Sequence, residues 1–156
     1  MIAPLLASVV VAVAPCTAKD IHSFNGMLQG ATGTMLGVIY VRNVSQRPCA
    51  LGGRPRVQIM TRAGRIFPTR ERTFALGTTG ARPRSMLLPQ QRAVLHLDWS
   101  NWCGTWSGPA GTFRRLYLRV TLTNGPRLRL PLLTGRPRCD QPSAPSLLSV
   151  SAFGDA

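Results

Sequence analysis

The sequence predicts an all-β chain, a disulfide-stapled antiparallel β-sandwich, and three observations carry that expectation. Short runs of alternating apolar and polar residues recur along the chain, most of them bounded by Gly, Pro, Asn or Asp. Fifteen Gly and 13 Pro among 156 residues leave no long stretch fit for a helix. Four cysteines, Cys16, Cys49, Cys103 and Cys139, stand far apart with no C-x-x-C among them. That pattern fits two disulfides in an oxidising compartment and speaks against a zinc ribbon or a thioredoxin motif. Four cysteines permit three pairings, and spacing does not choose among them.

With 44% hydrophobic residues, the chain is long enough for one domain with a full core. Residues 1–14 form an apolar segment, shorter than the roughly 20 residues a membrane-spanning helix needs. Its length is that of a secretory signal core, yet no Lys or Arg precedes it and Pro15 follows Ala14. It reads either as an export signal, with cleavage after Ala12 and not Ala14, or as the start of a linker from a longer anchored chain. Residues 15–156 read as a single β-sandwich domain.

The strands follow in order. Residues 20–29 make a weak first strand, closed by the turn Gly30-Ala31-Thr32-Gly33. No G-K-[ST] follows those glycines, so they are not a phosphate loop. Residues 35–41 are β-branched and aromatic, a strand that ends in the turn cluster starting at Asn43. Asn43-Val44-Ser45 matches a glycosylation sequon, but an Asn holding a turn is the better reading. Cys49 opens a short strand broken by Gly52-Gly53, and Arg56–Thr61 follows. In it Val57 and Ile59 share one face, and Arg56, Gln58 and Met60 the other. Ala63-Gly64 turns the chain into Ile66-Phe67, and residues 68–84 read as plain loop.

From Val94 a strand places Leu95, Leu97 and Trp99 on one face and His96, Asp98 and Ser100 on a solvated one. It runs into Trp99-Ser100-Asn101-Trp102-Cys103-Gly104, a structural corner whose tryptophans cover the cysteine, with Trp106 the one left exposed. Then comes a hairpin. Leu116, Leu118, Val120 and Leu122 alternate with Arg115, Tyr117, Arg119 and Thr121, and Asn124-Gly125 supplies a two-residue turn. Leu128, Leu130 and Leu132 return, alternating with Arg127 and Arg129. The last strand covers residues 147–153.

Charge is the strongest functional signal. Nineteen Lys plus Arg against five Asp plus Glu give a formal +14, and 18 of the 19 are Arg. Ala, Gly and Pro are abundant too, so a GC-rich genome accounts for the excess as well as selection does. If the charge is functional, Arg115, Tyr117, Arg119, Arg127 and Arg129 form the face that would meet an anionic envelope polymer, a lipid surface or an acidic protein. Arginine on a strand also blunts a sheet edge. Nucleic acid has the charge in its favour, with Tyr117 between two arginines as the only trace of an aromatic–basic face.

Catalysis finds little material. His96, Asp98 and Ser100 alternate on one strand, about 7 Å apart, too far for a Ser-His-Asp relay. No G-x-S-x-G elbow accompanies them. His22 and His96 lack metal-ligand spacing, and five scattered acids offer no carboxylate pair for glycoside chemistry. No cofactor motif occurs.

Several stretches together carry a family likeness. They are Gly30-Ala31-Thr32-Gly33, the strand into Asn43-x-Ser45, and Pro48-Cys49-x-Leu51-x-Gly53-x-Pro55-x-Val57. The block Trp99–Gly104 and the tail from Arg138-Cys139-Asp140 through Leu147 to Phe153 complete the set. The chain resembles the bacterial domain-of-unknown-function family forty-two thirty-two, found in exported and lipid-anchored proteins. The resemblance implies an immunoglobulin-like sandwich outside the cytoplasm, paired Cys16–Cys49 and Cys103–Cys139. It implies no activity. The expected function is therefore a non-enzymatic, exported binding or interaction module of the cell envelope. The alternatives are a structural accessory domain of a longer anchored protein and, remotely, a hydrolase using His96.

Overall fold

The computed structural model describes residues 12–31, 33–72, 84–102, 116–123, 125–131 and 139–156. Among them every regular element is a strand, eleven in all. They are β1 (Ile21–Ala31), β2 (Thr34–Asn43), β3 (Cys49–Ala50), β4 (Arg56–Thr61), β5 (Arg70–Arg72), β6 (Met86–Leu87), β7 (Arg92–Ser100), β8 (Leu116–Thr121), β9 (Arg127–Pro131), β10 (Leu147–Val150) and β11 (Gly154–Asp155).

The larger sheet runs β1-β2-β7-β10-β5, with β11 also on β7; β4-β8-β9 form a second sheet and β3-β6 a third. The pairing follows from side-chain alternation. β2 buries every second residue, Met35, Gly37, Ile39, Val41 and Asn43, and its register on β7 sets Ile39 beside Leu95. β7 turns Leu95, Leu97 and Trp99 inward. From the second sheet come Val57, Ile59, Leu118, Val120, Leu128 and Leu130, and both sets meet in one buried cluster. Trp99 is fully buried at its centre. Its ring meets Phe67 edge-on at 5.9 Å, and its Nε1–H donates to Ser146 Oγ at 2.8 Å.

Cys16 and Cys49 are bonded, 33 residues apart in sequence and with Cα atoms 4.7 Å apart. Beside the bridge the entering chain pairs with β3: Cys16 N–H donates to Ala50 C=O and Ala50 N–H to Ala14 C=O, each at 2.9 Å. The expected Cys103–Cys139 pairing has Cys103 outside the described residues; no described cysteine is a free thiol.

Several expectations need correction. The larger sheet is mixed, not antiparallel throughout, because β5 lies parallel to β10. That strand sits inside the stretch expected to be plain loop: Arg70–Arg72 is short and charged, and pairs only because β10 offers it an edge. The hairpin turn is one residue longer than expected. Thr121 pairs with Arg127, and Leu122 N–H donates to Pro126 C=O at 3.2 Å, so three residues form the loop. A two-residue turn would have set Leu122 against Arg127. The longer loop keeps Val120 opposite Leu128 and Leu118 opposite Leu130. The last strand stops at Val150, and β11 resumes along the same edge of β7 after Ser151–Phe153, with the register moved by one residue. Met60 is buried, despite its place on the polar face of β4.

Asn43 is the turn-holder the sequence suggests. Its buried Nδ2–H donates to the carbonyls of Arg47 (2.8 Å) and Leu87 (3.1 Å), and its Oδ1 accepts from Ser45 N–H at 2.9 Å. No donor on it faces solvent for a glycan.

Candidate functional site

The outer face of the β4-β8-β9 sheet is built by register. Arg56, Thr121 and Arg127 form one cross-strand row, and Gln58, Arg119 and Arg129 the next. Met60 and Tyr117 stand side by side in a third. Strands lie about 4.8 Å apart and alternate residues about 7 Å apart, so four arginine stems leave one small patch. Their charges lie within one to two Debye lengths at physiological salt, about 8 Å, and their fields add.

Like charges directly opposed destabilise a sheet. Here neutral partners draw the guanidinium groups apart. Arg119 donates through Nε and Nη2 to Gln58 Oε1, at 3.1 and 2.6 Å. Arg129 lies over the Tyr117 ring, 4.1 Å from its centroid, and donates from Nη2 to Arg62 C=O at 3.2 Å. Arg56, Arg127 and Arg129 are exposed. No acid occurs in β4, β8 or β9. The four ion pairs between described residues lie elsewhere: Asp20–Arg47, Glu71–Arg54, Asp98–Arg72 and Asp155–Arg84. The patch keeps its full positive charge.

Of the residues expected on this face, Tyr117, Arg119, Arg127 and Arg129 are brought together, and Arg115 lies outside the described residues. Sequence reasoning missed Arg56 and Gln58. Their alternation was visible, but nothing local showed that β4 is the strand beside β8.

The His96 strand face is not the solvated one expected. Asp98 is buried and its Oδ2 accepts from Arg72 Nη2 at 2.5 Å, because β5 carries that arginine across β10. Asp98 thus serves an arginine, and its cross-strand neighbours are Leu36 and Ser149. His96 is half-buried; its backbone N–H donates to Ser151 Oγ and its C=O accepts from Ser151 N–H, both at 2.9 Å. Further along this face Phe24 stacks on Tyr40 at 5.3 Å and on His22 at 6.0 Å, with Arg92 5.7 Å from the Phe24 centroid. Gly26 is required there: a Cβ would sit 2.6 Å from Tyr40 Cε2.

At the β1 entry, Asp20 Oδ2 accepts from Thr17 Oγ1–H and N–H, both at 2.7 Å, and from Arg47 Nη2 at 2.9 Å. The Thr17 hydroxyl and amide lower the Asp20 pKa from its ordinary 3.8, with Arg47 adding to the shift against the cost of burial. No cluster of three metal-ligating side chains occurs among the described residues, and none of their helices is long and apolar enough to cross a membrane.

With this geometry in place, the comparisons fix the class. The family model described as "Domain of unknown function (DUF4232)" matches residues 16–153. The chain belongs to that family. No curated protein and no solved structure matches it.

Proposed function

We propose that this chain is a non-catalytic, extracytoplasmic binding module of the cell envelope, an immunoglobulin-like β-sandwich whose β4-β8-β9 face engages an anionic ligand. The observation that carries this reading is the patch of Arg56, Arg119, Arg127 and Arg129, in which Arg119 and Arg129 are held by neutral partners, on strands that carry no acid. Four of the five acids in the sequence pair with arginines outside it. The Cys16–Cys49 bridge supports an oxidising compartment, and the proposal includes a second bridge between Cys103 and Cys139. Sedimentation with polyglutamate-coated beads and with anionic vesicles, across a salt series, tests the function. Binding that falls steeply from 50 to 300 mM salt is expected; salt-insensitive or absent binding overturns it.

A further inference from the structure

A cavity of about 180 Å³ opens where the free edge of β4 approaches β5 and β10. Its floor is apolar, formed by Val57, Phe67, Leu148 and Val150, none more than 9% exposed. Arg56 and Glu71 stand exposed at the rim, Glu71 being 3.4 Å from Arg54. Small-molecule sites usually enclose about 300 Å³ or more. A cavity of this size takes one side chain and not a cofactor.

The backbone beside it is half used. β4 is an edge strand, and the chain after Gly64 folds back along only its C-terminal half. There Phe67 N–H donates to Ile59 C=O at 2.7 Å, and Thr61 N–H to Arg65 C=O at 2.8 Å. Edge-directed groups recur at every second residue. Val57 therefore points its N–H and C=O toward the same edge, past the end of the returning segment, and no hydrogen bond from them to that side occurs among the described residues. Val57 also lines the cavity. An open strand edge beside a one-residue pocket is the arrangement used in β-strand addition. A residue that exchanged both hydrogen bonds with Val57 would place its side chain on the same face as Val57, into the cavity.

Charge selects the occupant. Arg56 is exposed at the opening and joins it to the basic face, while Arg54 pairs with the rim carboxylate of Glu71. We infer that the β4 edge binds an acidic, extended segment of a partner protein, with one apolar side chain in the cavity and its carboxylates on Arg56 and the neighbouring arginines. The inference rests on the basic face being the anion site and narrows its ligand to a protein. A lipid or sugar polymer supplies the charge but has no strand of amides to pair with Val57.

The probe is an end-blocked peptide, Glu-Asp-Leu-Asp-Glu, titrated into the full chain by fluorescence polarisation. Binding is expected to weaken about tenfold when its leucine becomes alanine, from the apolar area lost. A similar loss is expected when the leucine amide is N-methylated, and again for the protein variant Val57→Pro. Proline there removes an edge N–H without touching the β4–β8 bonds, and the N-methyl peptide repeats the test on unaltered protein. Equal binding of all three peptides overturns edge docking and leaves the basic-face reading standing. Binding to anionic vesicles but to none of the peptides overturns it in favour of a lipid surface. Failure of peptides, polyglutamate and vesicles alike removes both readings.

Discussion

The two outward sheet faces differ in whether an arginine there meets an acid. On the larger sheet Arg72 is spent on the buried Asp98, Arg42 donates to Gln90 at 2.5 Å, and Arg92 lies against the Phe24–Tyr40 stack. On the smaller sheet Arg119 and Arg129 meet only neutral groups, and Arg56 and Arg127 stand exposed. Similar residue types on similar strands thus do different work. The first face commits one arginine, Arg72, to a buried acid. The second accumulates charge at a local cost in repulsion where Arg119 directly opposes Arg129, and fold stability gives no reason for it.

Breaking each face separately should expose that difference. The largest effect is expected from the bridge beneath both: Cys16→Ser with Cys49→Ser should cost about 3–4 kcal/mol, read as a shift in the urea midpoint, since the bond closes a 33-residue separation. Next comes Asp98→Ala. It leaves the one-third-exposed Arg72 guanidinium without its acid and should cost about 2–3 kcal/mol, with little dependence on salt. Arg127→Gln with Arg129→Gln, in contrast, should move the midpoint by no more than about 0.5 kcal/mol equivalent while stripping binding to polyanions.

The smallest effect sharpens the contrast through pH. Asp20 has its pKa lowered in the fold, so its contribution is present above the unfolded value and is lost as pH falls through the folded one. Stability of the native chain should therefore decline below about pH 3.8. In Asp20→Asn that part of the acid limb should vanish, as equilibrium denaturation at pH 2 to 5 would record.

Much of this was legible in the sequence, and what was not has a common cause. Alternation of period two identified β2, β4, β7, β8 and β9 and their inward residues, because one buried face writes itself into the chain. Asn43 was readable as a turn residue from its Ser45 neighbour. Strand pairing was not readable, since it joins segments tens of residues apart. Arg56 belongs with Arg127 only through β8, and Asp98 is buried only because β5 crosses β10 to bring Arg72 to it. The three-residue hairpin loop was hidden for another reason. Asn-Gly favours a two-residue turn locally, and cross-strand leucine pairing overrode that preference. The β4 cavity needs two sheets and a free edge, none of which leaves a local pattern.

The central claim is that anions bind the β4-β8-β9 face and are not merely drawn by the total charge of +14. Two variants of equal net charge test it most directly: Arg127→Gln with Arg129→Gln, and Arg42→Gln with Arg92→Gln on the opposite face. Both are compared with the native chain by the salt concentration that elutes them from immobilised polyglutamate. The account predicts early elution for the first pair and near-native elution for the second. Equal shifts for both would show that net charge alone is responsible, and would contradict it.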